Sequence, residues 1–423
     1  MSQSSSSSSS SRGSSSSSNS NTITTTTVTT TTKKRGFRLP NFALLPLPKT
    51  KKNKKQGSDS VPIETVRKLL MGTIDPVDLA RQILPPKDLA AVVRYSSAPY
   101  RPKLDLRSHN IITAEDVLFV GLTYVGFDGS RQDIRDEMNR ERFCSFFKLC
   151  PEGILDAYRY FSEHSEEEGD IMEFRFFLIA LNFLKLYDTE HVLSGRWRLD
   201  EETLRKQIWK TLWQIQRHFP TLIYFDPSEW DAAQVHLITV DTVNYNVNEQ
   251  RSDPVGKFER WYNHKSNSAG VKYEMALPLC LERQTCVWSR GPFPAGDPAV
   301  AHDGCLFRGG TVKQKKSEWD PESLYNAIPD GRKAIGDSLY GGMPEKCTVA
   351  KKGHNKVTRD LIKRAKAREE RYHGHTKEFH VLQGRFRHGS SADDALLKHK
   401  TVVDSIHVLM HFELEHRPMF DFP

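Results

Sequence analysis

Two apolar segments of the 423-residue chain each lead into an aspartate, and a basic segment with a glutamate follows them. The first segment, 235–241, ends on Asp241, and the second leads into Asp337. Glu370 lies in the basic segment, whose residue pattern predicts a helix. A carboxylate at a strand end projects over the edge of an α/β sheet, where such folds bind ligands. The pattern therefore predicts an α/β protein in which these three acids meet at one site.

The second half of the chain has the element order of an RNase H-like α/β fold. Three strand-like runs joined by turns come first, followed by a fourth strand after a long connection and then by two helices: 235–247, 271–281, 285–291, the strand that reaches Asp337, 357–373 and 396–414. We predict that residues 226–423 form an RNase H-like catalytic domain.

A mostly helical domain is predicted before it, at 59–225. A capping-box-like start at Thr113 opens one apolar helix, and an apolar stripe from Leu204 to Phe219 marks another, which Pro220 is expected to end. Three short helices lie between them, with four arginines among them: 130–139, 140–148, 151–161, and Arg131, Arg135, Arg140 and Arg142. Plain helical packing and a helix-turn-helix-like DNA reader both fit this pattern.

The N-terminal residues 1–58 have the composition of a disordered tail. Of the first 32 residues, 24 are Ser or Thr, which leaves too little apolar surface to offset the entropy of ordering. Two basic clusters follow, at 33–38 and 49–55. They favour nuclear import or a phosphate-binding arm, and a solubilising tail is the alternative. We predict a nuclear protein.

The net charge of +8 comes from this tail, because residues 59–423 hold 51 Lys and Arg against 53 Asp and Glu. A local excess remains at 346–388, with 13 basic and four acidic residues, and it would attract a phosphate backbone. The candidate DNA contacts there are Lys363, Lys366, Arg368 and Lys377. A solvated basic face is the alternative.

Other functional classes have little support in the sequence. No window approaches the ~18 apolar residues of a membrane span, so we expect an intracellular protein without membrane contact. The six cysteines include no CxxC pair, and no histidine shows zinc-ligand spacing, so we assign no zinc site. Clustered carboxylates instead suit Mg2+, which binds oxygen ligands and activates phosphodiester cleavage.

Ordered blocks across 235–421 resemble the Harbinger-type (PIF/Harbinger) DDE transposases, a group of DDE superfamily endonucleases. The blocks are Val240-Asp241, Trp261 to Asn267 with Gly270, Tyr273 to Ala276, Gly291 to Gly296, His302-Asp303 before Phe307-Arg308-Gly309, Ala334 to Ser338 with Tyr340, the residues Arg368, Glu370, Gly374 and Lys377, and Arg385 to Gly389. The resemblance implies an RNase H-like nuclease using Mg2+ or Mn2+, with two ions expected. It would hydrolyse DNA at transposon ends and join the 3′-hydroxyl to target DNA.

The resemblance also implies roles for individual residues. Asp241, Asp337 and Glu370 would be the catalytic and metal-binding acids, and the spacing to Gly374 selects Glu370 over Glu369. His302 and Asp303 would support them. DNA is the implied partner, with a separate DNA-binding protein and oligomerisation as further expectations.

Three residues beside the acids depart from the family pattern: Thr242, Asn244 and Leu339. They favour a second interpretation, a domesticated or decayed copy that binds DNA or a protein without cutting. A third, an RNA-cleaving enzyme on the same fold, is also compatible with the acids alone.

Overall fold

The computed structural model describes residues 113–127, 137–166, 172–248, 258–279, 284–298, 300 and 302–419. All of them belong to one compact unit, Leu84–Pro423. The predicted tail at 1–58, with its two basic clusters, lies outside the described residues, as do Arg131 and Arg135.

Helices make up the first part of the described chain: α1 Ala114–Tyr124, α2 Glu137–Phe147, α3 Pro151–Glu166, α4 Phe174–Leu186, α5 Glu190–Trp197, α6 Glu201–Gln216 and α7 Phe219–Leu222. The strands and the remaining helices follow: β1 His236–Asn246, α8 Phe258–Trp261, β2 Tyr262–Asn263, β3 Ser268–Pro278, β4 Trp288–Pro294, α9 Asp303–Arg308, α10 Leu324–Ala327, β5 Lys333–Gly336, β6 Cys347–Val349, α11 Lys356–Lys377, α12 His380–Gln383 and α13 Ala392–His416. The predicted mixed α/β class is confirmed.

The start of α1 has the predicted capping box. Thr113 Oγ1 accepts a hydrogen bond from the backbone N–H of Asp116 at 3.2 Å, and Asp116 Oδ2 accepts one from the backbone N–H of Thr113 at 3.0 Å. Two backbone donors that the helix leaves unpaired are thereby satisfied. This local signal was readable from four residues because it needs no tertiary contact.

Two helix boundaries differ from the prediction. The break expected between residues 139 and 140 falls inside the continuous helix α2. Helix α6 ends at Gln216, and Pro220 lies within the next short helix, α7, where its missing N–H costs nothing in a first turn. Trp209 is buried on α6, whereas Trp213 is 46% exposed.

The sheet is mixed, with β3, β1, β5 and β6 as consecutive neighbours. Strand β3 pairs antiparallel with β1 on one side and with β2 and β4 on the other. Strands β5 and β6 add parallel to β1. Parallel strands need a crossover connection, which explains the long segment between β4 and β5.

Strand β1 continues beyond Asp241 to Asn246, so the expectation that a strand ends on Asp241 is wrong. The pairing with β5, however, extends only to Thr239 opposite Ile335. Beyond that point β1 pairs with β3 from Asp241 opposite Met275 onwards, and its other edge next has a backbone partner at Asn246, whose carbonyl oxygen accepts a hydrogen bond from the N–H of Phe386 at 2.9 Å. Asp241 therefore lies just past the end of a neighbouring strand, where one edge of β1 is open.

Two hydrophobic clusters enclose the sheet. The larger one joins the helices α1–α6 and α13 to alternate residues of the sheet, such as Val243, Tyr245, Tyr273 and Met275. The smaller one contains the intervening residues Ile238, Val240 and Ala276, together with α9, α10 and β6. Strands buried on both faces hold their register firmly, because a one-residue slip would exchange the two sets.

Candidate metal centre

Three aspartates lie together at the open edge of β1. Each of Asp241, Asp303 and Asp337 offers a carboxylate oxygen, and these oxygens all lie within 4.8 Å of one another. They come from three separate elements: β1, the start of α9 and the residue after β5. All three donors are hard oxygens, the type that Mg2+ and Mn2+ prefer, so the donor set fits such an ion.

Asp241 has an altered protonation equilibrium. The pKa of this carboxyl is raised from 3.8 to about 6, mainly by burial and in part by the charges of Asp303 and Asp337. A hydrogen bond from the backbone N–H of Thr242 to Oδ1, 2.8 Å long, and the charge of Lys366 act in the opposite direction. Crowded carboxylates repel one another, so a bound cation would relieve an electrostatic cost already present in this cluster.

Asp337 is positioned by the short 3-10 turn Ser338–Tyr340, of which it is the N-cap. Its Oδ1 accepts a hydrogen bond from the backbone N–H of Leu339 at 2.8 Å. Leu339, one of the three residues that depart from the pattern of the family the sequence resembles, is 51% exposed and is not among the described residues with positive φ. The leucine is therefore accommodated there without the backbone conformation that favours glycine.

Asp303 reaches the cluster because the backbone around Gly304 approaches the turn after β5 very closely. A Cβ atom added to Gly304 would lie 2.9 Å from the carbonyl oxygen of Leu339. Any larger residue would push the start of α9 away from Asp337. Gly304 is thus a structural requirement of the cluster that the sequence pattern did not indicate.

A buried lysine balances part of this negative charge. Lys272 Nζ lies 3.2 Å from Asp303 Oδ1 and donates to the carbonyl oxygen of Val300 at 2.9 Å. The side chains of Lys272 and Asp303 are only 8% and 6% exposed. This ion pair fixes the position of Asp303, because separating the two charges would leave each one buried alone.

Glu274 is a second charged residue buried in β3. Its Oε2 accepts a hydrogen bond from Trp288 Nε1 at 3.1 Å, and burial raises its pKa from about 4.5 to about 8. Sequence reasoning missed both Lys272 and Glu274. The sequence did contain a signal for them: two charged residues, two positions apart, in a strand of otherwise apolar and small residues. A charge inside such a strand requires a buried partner, so both residues could have been expected to have one.

The two adjacent glutamates of α11 have different environments. Glu369 is buried, and burial together with the charge of Asp241 raises its pKa well above the ordinary value. Glu370 is exposed and lines a groove that also contains Asp241. Glu370 is not a member of the three-aspartate cluster, so the sequence-predicted set of Asp241, Asp337 and Glu370 meets only partly at that cluster.

The predicted supporting pair, His302 and Asp303, and the candidate DNA contacts also differ in how exposed their members are. His302 is exposed and precedes α9, whereas Asp303 is a full member of the cluster. Lys363 and Lys377 are exposed on α11, and Lys366 is partly exposed. Arg368 is 2% exposed and donates from Nη1 to the carbonyl oxygen of Pro278 at 2.5 Å. That burial removes Arg368 from the surface that a phosphate backbone would contact.

Within the part of the chain described here, no helix is long and apolar enough to cross a membrane. Comparisons of the chain with family models, with curated proteins and with solved structures give no match.

Proposed function

We propose that this chain is a divalent-metal-dependent DNA endonuclease of the transposase type, with an RNase H-like catalytic region. The observation that carries the proposal is the meeting of Asp241, Asp303 and Asp337 within 4.8 Å, at the open edge of β1. Three carboxylates in such proximity are costly without a cation and suit Mg2+ or Mn2+. When bound, such ions activate an attacking water or hydroxyl and stabilise the leaving oxygen of a phosphodiester.

The order of the strands supports the RNase H-like assignment. Three strands consecutive in the chain, apart from the two-residue β2, pair antiparallel, and a later strand adds parallel to the first after a long connection. The long helix α11 then follows, as expected from the sequence. Under the proposal, the three aspartates hold the metal, Lys272 positions Asp303, and Glu370 acts from the adjoining groove.

Exposed lysines beside the site support DNA as the substrate. Lys363 and Lys377 project from α11, the helix that also carries Glu370. Cations beside a metal centre attract and orient a phosphate backbone without reading its sequence. The proposed reaction is hydrolysis at transposon ends followed by joining of the 3′-hydroxyl to target DNA. A nuclear location and a separate DNA-binding partner belong to the same proposal.

A second candidate, a DNA-binding or protein-interaction factor without nuclease activity, is favoured by one observation. All three aspartates already have protein partners, since Asp303 pairs with Lys272, Asp337 caps the turn at Leu339, and Asp241 accepts a hydrogen bond from the N–H of Thr242. Such partners would preserve these acids for structural reasons even in a protein that no longer cuts DNA.

A nicking and strand-transfer assay separates the two candidates. Wild-type protein is incubated with supercoiled DNA and with DNA carrying the element's own ends, in Mg2+, Mn2+ or EDTA. The proposal expects metal-dependent cutting that Asp241→Ala and Asp337→Asn abolish. Asp360→Asn, an exposed aspartate on α11, is the matched control and should cut normally. Folded wild-type protein that binds both DNAs but cuts neither would favour the second candidate.

A further inference from the structure

A groove of about 530 Å3, lined mostly by polar residues, adjoins the three-aspartate cluster. One wall is β1 from Asp241 to Asn246, and the other is the face of α11 that carries Glu370 and His373. The hairpin between β2 and β3 contributes Lys265 at one side. The volume lies within the range of pockets that bind small molecules and cofactors.

Three buried polar atoms on residues lining this groove have no hydrogen-bond partner among the described residues: Thr242 Oγ1, Asn244 Oδ1 and His373 Nε2. His373 is more than nine-tenths buried, and burial lowers its pKa to about 4, so its imidazole is neutral. Native proteins rarely leave buried polar atoms unsatisfied, because each lost hydrogen bond is costly. The groove is thus prepared for a ligand that supplies polar atoms.

The type of the unsatisfied atoms restricts the ligand. Asn244 Oδ1 is an acceptor and needs a donor, whereas a phosphodiester supplies acceptors only. The hydroxyl of Thr242 and the neutral ring of His373 each donate or accept. A nucleic-acid base carries both donors and acceptors on its pairing edge, and proteins that hold an unpaired base bind that edge through hydrogen bonds. The two lysines that line the groove, Lys265 and Lys377, are exposed and suit the attached phosphate.

We infer that this groove holds one unpaired nucleotide of the DNA strand, next to the phosphate at the three aspartates, with its base edge against Asn244 and His373. The inference rests on the proposed function and extends it from a metal centre to a subsite for the substrate. A paired base cannot use the groove, because its pairing edge is occupied by the opposite strand. Asn244 then determines which DNA structure the protein prefers, and replacing Asn244 changes that preference.

The test compares three DNA probes in EDTA, so that the DNA stays intact. The first is a blunt duplex, the second the same duplex with one unpaired 3′ 2-aminopurine nucleotide, and the third the same duplex with one unpaired 3′ abasic nucleotide. Binding is measured by anisotropy, and the environment of the base by 2-aminopurine fluorescence. Wild-type protein should bind the second probe about tenfold more tightly than the other two, as expected for a buried base contact.

Variants locate the contact. Asn244→Leu should lose the preference for the 2-aminopurine probe, and Asn244→Ala, which removes the amide without added bulk, is the second variant should the leucine disturb folding. Asn326→Leu, an exposed asparagine on α10 outside the groove, should keep the preference. Thermal unfolding of each variant verifies that it is folded.

The outcomes separate this inference from the proposed function. Equal affinity for all three probes, in protein that nicks plasmid DNA with Mg2+, would overturn the inference and leave the proposed function intact. Equal preference for the abasic probe would overturn the contact to a base, and so would a preference that survives in folded Asn244→Leu and Asn244→Ala. Protein that neither binds nor nicks DNA would refute both.

Discussion

The ammonium group of Lys272 lies 3.2 Å from a carboxylate oxygen of Asp303, and both side chains are buried beside two further aspartates. One lysine thus offsets one of three crowded negative charges. The pair also joins the middle of β3 to the start of α9, two elements separated by a long connection. The geometry of the candidate metal centre therefore depends on a residue that is not itself a metal ligand.

Replacing this lysine should destabilise the fold. Lys272→Met leaves Asp303 buried without its partner, which should lower the free energy of unfolding by about 3–5 kcal/mol. Lys398→Met is the control, since Lys398 pairs with Asp394 at a more exposed site and should cost at most about 1 kcal/mol. Urea unfolding followed by circular dichroism measures both. Equal stability of the two variants would show that the buried pair contributes little.

Glu274 should make stability depend on pH. Its pKa is about 8 in the folded protein and near 4.5 when exposed, so the folded state keeps a proton that the unfolded state has lost at neutral pH. The contribution of Glu274 to the free energy of unfolding is fully present below pH about 4.5. It is lost as the pH rises to about 8, by up to about 1.4 kcal/mol per pH unit.

Glu274→Gln removes this titration, so its unfolding free energy should fall less steeply with pH than that of the wild type across the same range. Glu322→Gln, an exposed glutamate, should retain the wild-type slope. Denaturant unfolding at several pH values between about 5 and 8 tests the difference. Parallel curves for wild type and Glu274→Gln would mean that Glu274 titrates normally.

The two glutamates of α11 should differ in function. Glu370→Gln should lower the rate of metal-dependent nicking about a hundredfold or more, with little change in stability, because Glu370 is exposed. Glu369→Gln should keep most activity, since burial already favours the neutral carboxyl, which glutamine resembles in size. Single-turnover nicking rates and melting temperatures of the two variants provide the measurement. The opposite order would assign the catalytic role to Glu369.

The lysines of α11 should act through charge alone. Lys363→Ala, Lys366→Ala and Lys377→Ala should each weaken DNA binding and lower the slope of log K against log salt by about 0.9. Fluorescence anisotropy over a salt series measures the slope. Arg368→Ala is the contrast, because it removes a buried hydrogen bond to Pro278 and should reduce stability while leaving the slope unchanged. A reduced slope in folded Arg368→Ala would place that guanidinium on the DNA after all.

Local patterns were sufficient to predict the main elements around the site. The strand-like run 235–247 predicted β1, and the helical pattern of 357–373 predicted most of α11, because both depend on neighbours within a few residues. The capping box at Thr113 was predictable for the same reason. Asp241 and Asp337 were predicted to meet because a carboxylate at a strand end projects over the edge of the sheet, although Asp241 lies within β1 and not at its end.

The composition of the cluster was decided by tertiary contacts. Asp303 joins Asp241 and Asp337 because Gly304 permits a close approach to Leu339 and because Lys272 holds its carboxylate, and these contacts span long stretches of chain. The sequence likewise could not show whether Glu369 or Glu370 faces the sheet, because the two residues are adjacent on the helix. The sequence by itself determines the residue types and the local periodicity of apolar residues. The burial of side chains, their hydrogen-bond and ion-pair partners and their pKa values are decided only when distant segments pack together.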